Sequence, residues 1–264
     1  MAMPVGETVE PEFLPTLDIQ APERQRRWTV LLRAILLIPH FIWLGLLAIA
    51  VAVVAVISWF GALFLGRLPD WSADFLGGYL GYYTRVYAYW YLLVDSYPPF
   101  AWNGPEHPVQ ITLQRGKLNR LAVLFRIILV IPASIVAELT AAGWAALSFF
   151  IWLIVLILGR TPKPVFGATA AVLRYGFRLQ AYFLLLTPAY PKRLFGDAEQ
   201  AAEPAQEAAP TSDTRPLLVT QGARVLLIVF IVLGLFSAIG EGVSGSISGD
   251  NQQATTSYDG IGVR

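Results

Sequence analysis

Two stretches decide how this chain reads: LLRAILLIPHFI at Leu31–Ile42 and LFRIILVIPASI at Leu124–Ile135. Each sets one arginine in an oily run, with a proline six residues later. They lie 93 residues apart, and in that register the chain keeps agreeing with itself without a gap. Arg33 meets Arg126, Pro39 meets Pro132, and Trp59 meets Trp152. Gly66-Arg67 meets Gly159-Arg160, and Pro69 meets Pro162. Tyr82, Arg85 and Ala88-Tyr89 meet Tyr175, Arg178 and Ala181-Tyr182, and Tyr97-Pro98 meets Tyr190-Pro191. About 27 of 73 aligned positions are identical. Shared composition matches Leu to Leu by chance. It does not match Arg, Gly-Arg, Tyr and Pro in one register, so the chain is a tandem duplication.

One unit reads in four steps. A basic amphipathic stretch, Arg26 to Ile38, is expected to kink or end at Pro39, as its counterpart is at Pro132, because proline cannot continue the hydrogen-bond ladder. An uncharged run follows at 41–65, longer than the ~20 residues a span needs. Its partner at 134–158 is interrupted by Glu138. GRLPD or GRTPK then makes a turn, with Gly and Pro as breakers. A second helix, 72–94 or 165–187, closes on DSYPPF or PAYPKRLF. Along it Asp74, Gly78, Gly81, Arg85 and Ala88 share a face, as do Gly167, Ala171, Arg174, Arg178 and Ala181. Small residues let helix backbones approach within a bilayer, so this face is expected to pack on the first helix at Ala48, Ala52 and Ala55.

Composition agrees with a bilayer. The 264 residues are 56% hydrophobic and 14% charged, with a mean hydropathy of +0.57; soluble domains are about 45–50% apolar and about 25% charged. The net charge of +1 is a sum of unlike parts. Residues 1–23 carry five acids and no base, residues 24–195 sixteen bases and five acids, and residues 196–264 eight acids and three bases. The bases are scattered among apolar runs, which argues against nucleic acid as a partner. The chain has no cysteine, and only His40 and His107 as histidines, so no thiolate or histidine-cluster metal site is expected. Walker, GxSxG, HExxH and dinucleotide-binding patterns are missing.

The expected organisation is an acidic disordered leader at 1–23, a first membrane repeat at 24–100, a linker at 101–116 and a second repeat at 117–195. A disordered acidic linker at 196–216 precedes a C-terminal transmembrane helix at 217–240 and a disordered tail at 241–264. The fold class is therefore an all-α integral membrane protein. Each repeat is a kinked interfacial helix plus a transmembrane hairpin, and the last helix makes about five spans. Bases precede each unit (Arg24, Arg26 and Arg27; Arg115, Lys117 and Arg120). The positive-inside rule then places both starts and the N-terminus in the cytoplasm and the tail outside. The repeats come out parallel, in a bacterial plasma membrane. A rival arrangement makes 28–65 a shallow hairpin and lays 72–94 on the cytoplasmic face; span length favours the five-span arrangement.

Arg85 and Arg178 are the sharpest candidate site residues, because a charge within the bilayer costs about 2.5–3.5 kcal/mol and asks for a partner. With Arg174 and Glu138 they are candidates for one ligand site between the repeats. Arg33, Arg126, Arg67 and Arg160 are read as interfacial residues that set topology.

The strings LLRAILLIPHFI, WFGALFLGRLPD and RVYAYWYLLVDSYPPF resemble the bacterial membrane family called domain of unknown function 4389. RIILVIPASI, LILGRTPKP and FRLQAYFLLLTPAYP resemble it again, departing at Ala133 for His40 and at Thr187-Pro188 for Val94-Asp95. The resemblance covers about 24–195. It implies a membrane protein with two domain copies and no assigned activity. The expected function is that of a non-enzymatic accessory or scaffold subunit of a membrane assembly, without a cofactor. Its expected partners are the lipid bilayer, anionic lipids among them, and other membrane proteins or a second copy. The alternative is a lipid- or anion-binding transporter or channel component using the arginine site.

Overall fold

The computed structural model describes residues 14–197, 214, 217 and 219–258, with side chains through Gly240. In chain order the elements are β1 (Thr16–Ile19), α1 (Arg27–Leu65), α2 (Asp70–Trp90), β2 (Val109–Thr112), α3 (Arg120–Leu124), α4 (Arg126–Leu158), α5 (Lys163–Phe183) and α6 (Gln221–Tyr258). The expected acidic segments at 1–13 and 198–213 lie outside the described residues.

The prolines do not stop the first helices. α1 and α4 run through Pro39 and Pro132. A proline inside a helix forfeits one ladder bond, whereas a break in apolar surroundings would strand many backbone groups. The interruption in the second unit falls earlier, at Phe125 between α3 and α4. Both helices stop at glycine. Gly66 (φ 72°) and Gly159 (φ 65°) cap them in the left-handed conformation, which glycine adopts without a Cβ penalty. Pro69 and Pro162 then open α2 and α5, as the Gly-Arg-x-Pro turns foretold.

The two units face each other across a two-fold axis. Gln25 donates its backbone N–H to Gly159 O (2.8 Å), and its counterpart Leu118 donates to Gly66 O (2.9 Å). The Trp59 indole donates to Val123 O (2.9 Å), and Trp152 donates to Val30 O (2.8 Å). Arg27 donates to Ile157 O and Arg120 to Phe64 O. Each contact appears twice with the units exchanged, which is the signature of an isologous interface. The start of α1 therefore meets the end of α4, and the end of α1 meets the start of α3–α4. α1 and α4 thus run antiparallel to each other across the axis.

Layers stack along this axis. α1 and α4 form one side, α2 and α5 the middle, and an antiparallel pair, β1–β2, the other side. The strands precede the first helix of each unit and pair Leu17 with Ile111 and Ile19 with Val109. Leu17, Ile19 and Val109 are buried; their alternation with Asp18 and Gln110 is that of a one-sided sheet. The leader and the 101–116 linker thus each contribute a strand, where the sequence reading had neither. α6 packs on α4 and α5 and breaks the symmetry. It continues to Tyr258, beyond the expected boundary at 240.

The apolar surface is on the helix side. Leu46, Ile49, Val53, Val56 and Ile57 of α1, and Ile127, Ile128, Ile131 and Ile135 of α4, are all exposed. Three helices are long and apolar enough to cross a membrane: Arg27–Leu65, Arg126–Leu158 and Gln221–Gly240. α2 and α5, expected as the second and fourth spans, are not among them. Most of their residues are buried inside the protein.

Candidate functional site

The small, cationic face of α2 does not meet α1. A Cβ placed on Gly78 would collide with the Trp102 indole, and one on Gly81 would touch Ile111. That face closes on the 101–112 segment and the sheet. α1 packs on another face of α2, through Tyr82 and Tyr89. The His40 Nδ1 lies 2.5 Å from the Tyr82 hydroxyl, and the His40 ring stacks on Phe100 at 4.0 Å.

Arg33 and Arg126, read as interfacial, are instead 2% and 3% exposed. Each guanidinium lies over a tyrosine ring, Arg33 on Tyr89 at 4.1 Å and Arg126 on Tyr182 at 4.0 Å. They tie the start of each first helix to the end of each second one. Arg33 donates to Tyr89 O (2.5 Å) and Gln25 Oε1 (3.2 Å), with Asp95 at 3.7 Å. Arg126 donates to Thr187 O (2.7 Å). Proline 188 stands where the first unit has Asp95, so Arg126 has no carboxylate among the described residues. Arg67 and Arg160 are exposed on the two turns.

Arg85 and Arg178 turn toward the sheet side and take different partners. Arg85 donates to Ala101 O and Trp102 O. Arg178 donates to Pro15 O (3.1 Å), Lys192 O (3.2 Å) and Asp197 Oδ1 (3.0 Å). Arg174 donates to Leu17 O, Thr214 O and Asp197 Oδ2 (2.9 Å). These arginines pin the strand β1, Lys192, Asp197 and Thr214 onto α5. Glu138 is exposed on α4 and makes no ion pair among the described residues. The four candidates are therefore not gathered on one site.

Sequence reasoning missed His107, Gln25, Asp197 and the sheet. Burial first, and then the neighbouring Arg85 charge, hold His107 down at about 4; its Nδ1 accepts from Val109 N–H (3.1 Å). The strands had a signal in the alternating Leu17/Ile19 and Val109/Ile111, each pair following a proline.

The two ends of the α1–α4 pair differ. At the first, Gln25 Nε2 donates to Leu92 O (2.6 Å) and Thr161 Oγ1 (2.9 Å), and Thr161 donates to Leu92 O (2.8 Å). At the second, the equivalent residues are Leu118, Leu185 and Leu68, and a cavity of about 250 Å³ opens. It is lined by Arg67, Leu68, Asp70, Ala73, Arg115, Lys117 and neighbours. Among the described residues no three His, Asp or Glu side chains come together as a metal site would require.

These features define a duplicated helical protein, two-fold symmetric in its core, with three helices of membrane-crossing length and apolarity. The chain belongs to the family described as Domain of unknown function (DUF4389), whose model matches residues 27–101 and again 120–194. No curated protein and no solved structure matches it.

Proposed function

We propose that the chain is a non-enzymatic membrane scaffold, held on the cytoplasmic face of a bilayer with its two-fold axis along the membrane normal. α1 and α4 sit in the near leaflet with both of their ends on the cytoplasmic side. α2, α5 and the sheet form the cytoplasmic body. α6 alone crosses, from Arg224 inward.

The sheet carries this reading. β1–β2 lies over the middle of α2 and α5, through Ile111 at Gly81 and Leu17 O at Arg174. The outer edge of β1 is covered by Arg174 and Thr214, but β2 is an edge strand, and its Gln110 and Thr112 are exposed. Were α1 and α4 to cross the bilayer, the axis would lie in the membrane plane and the sheet at mid-depth. Open strand edges do not occur in hydrocarbon, where each unpaired group costs several kcal/mol. Charge supports the same orientation. One end of the pair carries Arg26, Arg27 and Arg160, and the other Arg67, Arg115, Lys117 and Arg120. A crossing arrangement would send one of these clusters outside, against the positive-inside bias. At ~1.5 Å per residue, the 39 residues of α1 also reach about 58 Å, nearly twice the ~30 Å hydrocarbon core.

The buried arginines are engaged in holding the body together, which supports a scaffold over a transport path. The functional test is mild-detergent purification with in-cell crosslinking. A scaffold brings down a defined membrane protein or its own second copy. A monomer without a crosslinked neighbour would count against it.

A further inference from the structure

We infer that the cavity at the second end of the helix pair binds the phosphate head group of an anionic phospholipid. This rests on the membrane reading above and names the ligand of that rim.

The two-fold symmetry makes the cavity conspicuous, because different residues stand at the other end. There Gln25, Thr161 and the Leu92 carbonyl plug the space with hydrogen bonds, and Phe166 occupies the position of Ala73. At the second end Leu68, Leu185 and Leu186 form an apolar floor, and Ala73 leaves room.

The rim is cationic and only partly neutralised. Arg115 pairs with Asp70 and Asp74. Arg67 and Lys117 are exposed and make no ion pair or hydrogen bond among the described residues. Beside the cavity the exposed side chains of Phe64, Leu65, Leu121 and Phe125 continue the apolar surface. A ligand suited to this arrangement carries a compact anion next to an acyl chain. A free phosphate would use the cations and leave the apolar rim unused. Basic residues at a membrane surface contribute about 1 kcal/mol each toward anionic lipid, which is about fivefold in affinity per cation.

The test is native mass spectrometry of the full chain in detergent, with phosphatidylglycerol and phosphatidylcholine offered in equal amounts. The wild-type protein is expected to retain phosphatidylglycerol preferentially. Arg67→Ala with Lys117→Ala should reduce that preference by an order of magnitude or more. Arg160→Ala, at the plugged end, should leave it unchanged. Asp70→Asn should strengthen it, a gain that misfolding cannot mimic. Equal retention of both lipids, or equal loss in Arg160→Ala, would overturn the proposal. So would displacement of the lipid by millimolar inorganic phosphate, which would identify a simple anion site. Insertion of the double variant into neutral vesicles reports separately on the membrane reading, and its failure there would fault that reading instead.

Discussion

Arg85 and Arg178 are the same residue of the two units, yet among the described residues only Arg178 has a carboxylate: Asp197 accepts from it at 3.0 Å, where the first unit has Gly104. Asp197 also accepts from Arg174 at 2.9 Å. One acid therefore compensates two guanidinium groups that are 5% and 2% exposed. The second unit spends it on fastening β1, while the first fastens its own loop with backbone carbonyls alone.

Removing that acid leaves two buried charges uncompensated. Asp197→Ala is expected to destabilise the protein by about 3–5 kcal/mol, the range for breaking a buried pair. The reverse change is open in the first unit, because a Cβ on Gly104 would lie 3.4 Å from the Arg85 guanidinium. Gly104→Asp is expected to raise the melting temperature. Thermal unfolding in detergent reads both.

The symmetric indole bonds should have matched energies. Trp59→Phe and Trp152→Phe each leave one carbonyl, of Val123 or Val30, without its donor. Each is expected to cost about 0.5–1.5 kcal/mol. Denaturation of the two single variants that differed by several kcal/mol would contradict a two-fold core.

α6 is seated on α4 by two glycines. A Cβ on Gly143 would collide with the Phe230 carbonyl, and one on Gly234 with the Leu139 carbonyl. Backbones this close tolerate no side chain. Gly143→Leu or Gly234→Leu is expected to displace α6 and lower the melting temperature in detergent; an unchanged melting temperature would contradict this seating.

Acid should loosen the sheet side of the protein through His107. Burial lowers its folded pKa from 6.5 to about 4, so the unfolded chain binds the proton first as pH falls. Stability is unaffected by this group above about pH 6.5 and declines from there toward pH 4. His107→Asn keeps an acceptor for Val109 N–H and is expected to flatten that part of the stability profile. Unchanged acid sensitivity in this variant would assign the effect elsewhere.

The duplication, the Gly-Arg-x-Pro turns and the apolar first helices were legible in residues, because each rests on local pattern. Pro39 left a kink or a stop open, and the helix continues through it, because surrounding apolar packing keeps the helix whole. The small face of α2 misled. Small residues announce close approach without naming the neighbour, and Gly78 and Gly81 make room for Trp102 and Ile111 where α1 was expected. Arg33 and Arg126 read as interfacial, and Arg85 and Arg178 as charges within the membrane, because their partners, mostly backbone carbonyls, leave no mark in a sequence. The two-fold axis depends on contacts between units such as Gln25 to Gly159. Duplication implies that the units resemble each other and does not fix how they face.

The central claim is that both ends of the α1–α4 pair face the cytoplasm. Asp70 and Lys163 are exposed equivalents at the two ends, and the chain has no cysteine of its own. Single cysteines at these positions, probed in intact cells with an impermeant thiol reagent, test the claim most directly. The expected result is that both are protected in intact cells and labelled after lysis. Labelling of either one from outside would mean that α1 and α4 cross the bilayer, and would contradict the account.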